Sequence, residues 1–196
     1  MVLAYHLVWT LYGSWLPNDP RGSMSRFIAS DPIAELGAIH YGRKRVQPPS
    51  RTIREFYREA ADKLAHPLLT LGPSDVSIVA RAFAETIRSR SYTCYACAIM
   101  RDHVHLVTRK HKDKAEQMIE QLQQASRTLL IESGSREPDH PVWGGPGWVV
   151  YLDAVEDIER TIRYVENNPG KSRQPRQTHA FVTPYDGWPL HRNRLI

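Results

Sequence analysis

The residues of this chain best suited to chemistry are two histidines, one residue apart, in the segment AIMRDHVHLVTRKHKDK. Because side chains alternate along a β-strand, His103 and His105 are expected to share one face, with Cα atoms about 6.5–7 Å apart. Val104 and Leu106 would then point the other way, into the core. Two imidazoles at this separation can bind one cation. The spacing therefore predicts a metal site on one face of a strand.

An H-x-H pair can also consist of ordinary surface histidines on a half-exposed strand. Two features favour a functional pair. The strand is otherwise apolar, where polar rings are costly without a role, and a basic segment that suits a phosphate-bearing ligand follows it. We predict DNA contacts by basic residues of this segment and of the following helix: Arg109, Lys110, Lys112, Lys114 and Arg127.

A second candidate lies in the segment DIERTIRYVENNP, which predicts a helix with Ile158, Ile162 and Val165 on its buried side. Tyr164 lies about 120° around the helix from this stripe, and Asn168, four residues later, lies beside it. A tyrosine hydroxyl can attack a phosphodiester that a metal polarises, forming a covalent phosphotyrosine. Asn168 is the candidate third ligand, with Mg²⁺ or Mn²⁺ as the ion. The alternative is an exposed tyrosine near a helix end.

Composition restricts the class of protein. The chain has 196 residues, 41% of them hydrophobic, and carries a formal charge of +5, with a pI of about 9.3. This length fits one domain, and the basic charge favours a polyanionic partner such as nucleic acid. No apolar run approaches the roughly 18 residues of a membrane span, and the opening segment lacks the features of a signal peptide. We therefore expect a cytoplasmic protein without membrane contact.

The only two cysteines, Cys94 and Cys97, form a C-x-x-C pattern that also occurs in zinc and redox sites. They lie in SYTCYACAIM, which is typical of a strand. Residues three apart on a strand point to opposite faces and cannot share a metal, and the chain has no second cysteine pair. We predict that both are packing residues in a reducing cytoplasm.

The elements that must position these residues follow from the hydrophobic pattern. Strands are predicted at AYHLVWTLYGSWL, YTCYACAIM, HVHLVT and VVYLD. Two helices are predicted to begin at caps formed by Ser50 and Ser74, and a third is predicted over residues 113–132. The helix that carries Tyr164, called the tyrosine helix below, is expected to end at Pro169. This order predicts an α+β fold, an antiparallel sheet with helices packed on one side.

The segment AIMRDHVHLV resembles the His-hydrophobe-His (HUH) motif of the single-tyrosine transposases, the group that includes insertion-sequence and REP-associated tyrosine transposases. YLDAVEDIERTIRYVENNPGK is similar to the tyrosine helix of that family. The resemblance covers the opening strand and residues 74–171. It implies a ferredoxin-like fold of the HUH endonuclease type, and cleavage and rejoining of single-stranded or hairpin DNA through a 5′-phosphotyrosine. It maps His103 and His105 to the metal ligands, Tyr164 to the nucleophile and Asn168 to the third ligand.

The chain departs from the family pattern at two places. Many relatives have glutamine where this chain has Asn168, so Glu166 and Asn167 are alternative third ligands. Within a single domain of residues 1–196, residues 17–49 form an insertion that either contacts DNA or decorates the surface, and residues 171–196 form a C-terminal tail. The family also admits a homodimer, in which the tyrosine helix serves its own subunit or its partner.

Two other functions remain open at this point. A domesticated hairpin-DNA-binding protein would keep the basic surface but would not need both histidines and the tyrosine. A metal hydrolase could use His103 and His105 with an activated water. Such hydrolases usually need more histidine or carboxylate ligands than the sequence places nearby.

Overall fold

Four strands form one antiparallel sheet within residues 1–189, the part of the chain that the computed structural model describes. The strand order across the sheet is β2-β3-β1-β4, and every neighbouring pair is antiparallel. The bounds are β1 (Ala4–Thr10), β2 (Cys94–Ile99), β3 (His103–Arg109) and β4 (Trp148–Leu152). The predicted α+β class and antiparallel sheet are confirmed.

Two long helices cover one face of this sheet. Phe83 of α3 and Met118 and Leu122 of α4 join Trp9 of β1 in a fully buried core. Across the described residues the helices are α1 (Asp31–Ala34), α2 (Ser50–Ala61), α3 (Pro73–Arg90), α4 (Ala115–Glu132), α5 (Val155–Glu166) and α6 (Asn168–Lys171). None of them combines the length and apolar character that crossing a membrane requires.

Helix α5 lies against the opposite face of the sheet. Ile158 and Val165 of α5 pack with Ala98 of β2 and Val107 of β3 in a second, smaller core, and all four side chains are fully buried. Strand alternation sends His105 of β3 to this same face, because it lies two residues from Val107. One face of the sheet therefore serves packing alone, and the other combines packing with the candidate site.

Helix ends differ from the sequence prediction at three places. Pro169 does not end the tyrosine helix. It lies in the first turn of α6, after the break between α5 and α6, where a missing N–H costs nothing. Ser50 and Ser74 lie inside their helices rather than at the caps. At the start of α3 the Gly72 N–H donates to the Asp75 carboxylate at 2.9 Å, which replaces the predicted serine cap.

A β-bulge in β2 changes the predicted placement of the cysteines. Cys94 pairs with Thr108 and Cys97 with Leu106, with a register shift between Cys94 and Ala96. The additional residue turns both thiols toward the same core, so the prediction that they face opposite sides is wrong. Both thiols are free and buried, and burial raises the pKa of Cys94 to about 12. The prediction that they are packing residues is confirmed.

The segment between β1 and α2 has little regular structure but buries several polar groups. Asn18 donates to the Ile33 carbonyl at 2.6 Å. The Asp19 carboxylate is fully buried and accepts from Arg21 at 2.7 Å and from the Tyr57 hydroxyl of α2. The Tyr57 contact attaches the start of residues 17–49 to α2, while the status of this segment as a family-specific insertion remains a prediction.

The C-terminal tail covers the outer edge of β2. The Gln177 side chain accepts from the Ile99 N–H at 2.8 Å and donates to the Ile99 carbonyl at 2.7 Å, and the Thr183 N–H donates to the Cys94 carbonyl at 2.8 Å. These bonds satisfy a strand edge that would otherwise be open to pairing with another chain. Residues 190–196 of the predicted tail lie outside the described residues.

Candidate active site

The two histidines of β3 meet on the face of the sheet that α5 covers. Their ring centroids are 4.8 Å apart, with the ring planes at 87°. The His103 side chain is 17% exposed, and His105 is buried. The prediction that both side chains share one face is confirmed, while their metal-binding role remains a prediction.

Tyr164 reaches the same place from α5. Its ring centroid lies 5.6 Å from that of His105, with the rings edge to face, and the residue is half-buried. The Lys171 Nζ lies 4.6 Å from the centroid of the Tyr164 ring and adds positive charge beside the phenol. The candidate nucleophile and the histidine pair therefore come together within a single chain, and the homodimer remains a prediction.

Asn168 begins α6 one helical turn beyond Tyr164. It is buried, and its Nδ2 has no hydrogen-bond partner among residues 1–189. A buried unpaired amide is costly and is often found where a group serves a function. The alternative third ligands, Glu166 and Asn167, are both exposed. Asn168 remains the preferred prediction for this position.

The described part of the chain contains no group of three or more His, Cys, Asp or Glu side chains arranged to bind a metal. A site built on His103 and His105 therefore needs a third ligand of another chemical type. The amide oxygen of Asn168 is such a ligand, and Mg²⁺ and Mn²⁺ accept it.

His6 of β1 is a member of the site that the sequence analysis missed. Its Nε2 lies 3.0 Å from the Nδ1 of His105, and the two rings stack with centroids 5.1 Å apart. The Tyr164 ring centroid is 6.1 Å from that of His6. In the β1–β3 register His6 pairs with Val107, which makes His6 and His105 diagonal neighbours on one face.

Asp102 provides the corresponding partner for His103. Its Oδ1 lies 2.6 Å from the His103 Nδ1, so each histidine of the pair has its Nδ1 engaged, by Asp102 or by His6. Both Nε2 atoms are then left as the nitrogens for a metal. Histidine ligands in metal sites commonly use the second nitrogen in this way, which orients the ring and sets the tautomer.

Burial lowers the pKa of two histidines of the candidate site. The pKa of His105 lies well below its ordinary value, because the ring is buried and lies near His103, His6 and Lys171. Burial lowers the pKa of His6 to about 4. Burial alone would raise the pKa of Asp102, but the hydrogen bond and charge of His103 lower it. At neutral pH His6 and His105 are therefore expected to be neutral and Asp102 to be ionised.

We expect the free energy of unfolding to fall as the pH is lowered from about 6.5 to about 4. In this interval the unfolded chain protonates His6, while the folded chain, with the His6 pKa lowered to about 4, does not, so acid favours unfolding. The His6 contribution to this loss approaches about 3 kcal/mol, and His105, whose pKa is also lowered, adds to it. Urea unfolding of the wild type at several pH values measures it.

The variant His6→Leu removes this titration and is expected to show a flatter pH dependence of stability. His66→Leu is the matched control, because His66 contacts Tyr12 and His140 instead of the candidate site, and it should keep the wild-type slope. An unchanged slope in His6→Leu would show that another group causes the acid sensitivity.

Three of the predicted DNA contacts lie away from the histidines. His103 begins β3 and Lys110 follows its last residue. At 3.3 Å per residue the two residues lie roughly 20 Å apart. Lys112 and Lys114 follow in the bend that leads into α4, and all three lysines are exposed.

The two arginines among the predicted DNA contacts form hydrogen bonds with other residues of the chain. Arg109 pairs with Asp186 of the tail and donates to the Tyr95 hydroxyl at 2.8 Å. Arg127 lies on α4, which packs on the other face of the sheet, and donates to the Pro138 carbonyl. The DNA-binding roles of these five basic residues remain predictions.

Comparison with known proteins finds structural similarity at low sequence identity. No protein-family model and no curated protein matches the chain. A REP-associated tyrosine transposase bound to a REP hairpin is similar over 87% of this chain and 68% of its own, with a TM-score of 0.46 and 9% identity. A Deinococcus radiodurans R1 protein, provisionally assigned as a transposase, is similar over 85% of this chain and 91% of its own, with a TM-score of 0.38 and 14% identity.

The first of these proteins is a REP-associated tyrosine transposase, the group that the sequence motifs resemble, and the second is described only as a transposase. Because both TM-scores are below 0.5, the similarity assigns no activity to this chain. The chemistry must be inferred from the side chains that the fold brings together.

Proposed function

We propose that this protein is a metal-dependent single-tyrosine transposase of the HUH type, which cleaves and rejoins single-stranded DNA. The observation that carries the proposal is the approach of the Tyr164 ring to within 5.6 Å of the His105 ring, between centroids. His103 lies directly beside His105. A nucleophile candidate and a pair of metal-ligand candidates therefore meet at one place, although 59 positions separate Tyr164 from His105 in the sequence.

The residues present fit a divalent cation. His103 and His105 would bind Mg²⁺ or Mn²⁺ through Nε2, because their Nδ1 atoms are engaged by Asp102 and His6. The buried Asn168 side chain would supply its amide oxygen as the third ligand. When bound, the cation would polarise the scissile phosphate and offset the charge that develops on it.

The side chains around Tyr164 suit a nucleophilic role for its hydroxyl. In the proposed step the Tyr164 oxygen attacks phosphorus, so that the Tyr–O–P bond forms and the P–O3′ bond breaks. The phenol proton is lost and the leaving 3′ oxygen takes up a proton, which yields a 5′-phosphotyrosine and a free 3′ hydroxyl. Lys171, whose Nζ lies 4.6 Å from the ring centroid, would place a positive charge beside the reacting phosphate.

Rejoining reverses the same step. A different 3′ hydroxyl attacks the 5′-phosphotyrosine, releases the Tyr164 hydroxyl and forms a new phosphodiester. The bond energy is conserved, so the reaction needs no external energy source. An unpaired strand suits this chemistry because it can bend into a cleft. We propose hairpin-bearing DNA as the substrate because the two motifs resemble those of REP-associated transposases.

Capture of the covalent intermediate tests the proposal. The full chain is incubated with Mn²⁺ or Mg²⁺ and labelled DNA hairpins that carry randomised single-stranded flanks, and the products are separated on a denaturing gel. We expect a labelled species that survives denaturation, requires the metal and is lost with EDTA. Peptide mapping of this species should place the phosphodiester on Tyr164.

The other outcomes separate the two alternative functions. Hairpin binding without an adduct or cleavage would indicate a binding protein. Metal-dependent cleavage without an adduct would indicate a hydrolase that activates water. Either result would overturn the proposed transposase.

A further inference from the structure

Trp15, in the loop after β1, contacts the carboxylate that holds His103. Its indole Nε1 donates to the Asp102 Oδ2 at 3.2 Å, while the Asp102 Oδ1 lies 2.6 Å from the His103 Nδ1. The Trp15 and His103 rings also meet edge to face, with centroids 6.1 Å apart. One carboxylate therefore bridges the loop and the candidate metal ligand.

The backbone of Trp15 adopts a conformation that bulky residues rarely accept. Its φ is 56°, in the left-handed region, which costs on the order of 1–3 kcal/mol for such a residue. The Trp15 N–H donates to the Tyr57 hydroxyl at 2.8 Å, and the Arg21 guanidinium lies 3.8 Å from the centroid of the Trp15 ring. Strain of this kind persists only where surrounding contacts enforce it, and it concentrates at functional sites.

The residues that hold Trp15 are themselves anchored by Asp19. Its fully buried carboxylate accepts from Arg21 at 2.7 Å and from the Tyr57 hydroxyl. Arg21 also donates to the Tyr57 hydroxyl at 3.0 Å. This cluster connects α2 and the loop to the site, so the start of the 17–49 segment holds the Trp15 loop in place.

We infer that Trp15 is a positioning residue that acts on His103 through Asp102. Because the indole holds Oδ2 of Asp102, Oδ1 of the same carboxylate stays directed at the His103 Nδ1. This contact favours the tautomer of His103 that carries its proton on Nδ1. The Nε2 lone pair is then directed away from Asp102 and available to a cation. Loss of a residue that orients a metal ligand without touching the metal typically lowers metal affinity 10–100-fold. The inference rests on the proposed function for the identity of the cation site.

The proton position can be measured without metal or DNA. The variant Trp15→Phe keeps an aromatic ring against Arg21 but removes the N–H. Long-range ¹H–¹⁵N NMR of the histidine rings should show the Nδ1–H tautomer of His103 in the wild type and a mixture of tautomers in Trp15→Phe. Mn²⁺ affinity, measured by calorimetry, should fall about tenfold.

Trp143→Phe is the matched control. It removes an indole N–H that donates to the Gln123 carbonyl, in a ring that packs against Trp9 on the other face of the sheet. It should leave both the His103 tautomer and the Mn²⁺ affinity at the wild-type values. If Trp15→Phe does not fold, replacement of Trp15 by benzothienylalanine removes the N–H with almost the same shape.

The variant Asp102→Leu distinguishes the effect of the carboxylate from the effect of the indole. It should alter the His103 tautomer at least as much as Trp15→Phe, and combining the two changes should add little. If Trp15→Phe leaves the tautomer and the Mn²⁺ affinity unchanged while Asp102→Leu alters both, Asp102 acts alone and the inference is wrong. Failure to find a covalent adduct would overturn the proposed function but leave the tautomer result standing.

Discussion

Tyr164→Phe is expected to abolish the covalent protein–DNA adduct and to reduce strand cleavage by about 10³-fold or more. Phenylalanine preserves the ring, and with it the edge-to-face contact with His105, so the fold and the histidine pair should be undisturbed. Only the attacking oxygen is lost. Cleavage is measured on the hairpin substrate selected by adduct formation, and binding by fluorescence anisotropy should change less than about twofold.

Tyr151→Phe is the control for this variant. Tyr151 is exposed on β4, and its hydroxyl donates to Glu116 of α4, which packs on the other face of the sheet. Its loss should leave both adduct formation and cleavage at wild-type levels. Cleavage that survives Tyr164→Phe unaltered would exclude Tyr164 as the nucleophile and would favour the metal-hydrolase alternative.

His103→Ala is expected to remove measurable Mn²⁺ binding and to lower metal-dependent cleavage by about 10²–10³-fold. The reason is that two imidazoles provide most of the proposed ligand set, and a single imidazole with an amide binds a divalent cation weakly. His103 is the better of the two histidines to change, because its side chain is 17% exposed. His105 is buried and stacks on His6, so its removal would also lower stability.

Calorimetry with Mn²⁺ and the cleavage assay measure this effect, and thermal unfolding confirms that the variant is folded. His66→Ala is the control for loss of one imidazole, since His66 contacts His140 and Tyr12 instead of the candidate site. Wild-type Mn²⁺ affinity in His103→Ala would remove the histidine pair from the metal site and would leave the proposed chemistry without its cation.

The local relations in the candidate site could be predicted because they follow from the geometry of single elements. His103 and His105 share a face because a strand repeats every two residues. Tyr164 lies off the buried stripe of α5 because a helix repeats every 3.6 residues. The four strands could be recognised from their β-branched and aromatic residues for the same reason.

Relations between elements could not be predicted in this way. His6 contacts His105 only because β1 pairs with β3 in one particular register, and a shift by a single residue would turn His6 to the other face. The bulge that brings Cys94 and Cys97 to one core likewise depends on how β2 pairs with its neighbour.

Closeness in the sequence also proved a poor guide to closeness in space. The basic segment follows the histidines directly, but an extended strand carries Lys110 roughly 20 Å from His103. Trp15, by contrast, lies 87 positions from Asp102 and donates a hydrogen bond to it. Strands separate neighbours in the sequence rapidly, whereas packing of loops against the sheet joins distant ones.

The sequence by itself determined the fold class, the shared face of His103 and His105 and the position of Tyr164 on its helix, because each depends on periodicity within one element. Only the tertiary structure decided that α5 lies over the histidine face, and that His6, Asp102 and Trp15 surround the pair. These contacts depend on register, bulges and loop packing, which arise from the free energy of the whole folded chain rather than from any one segment.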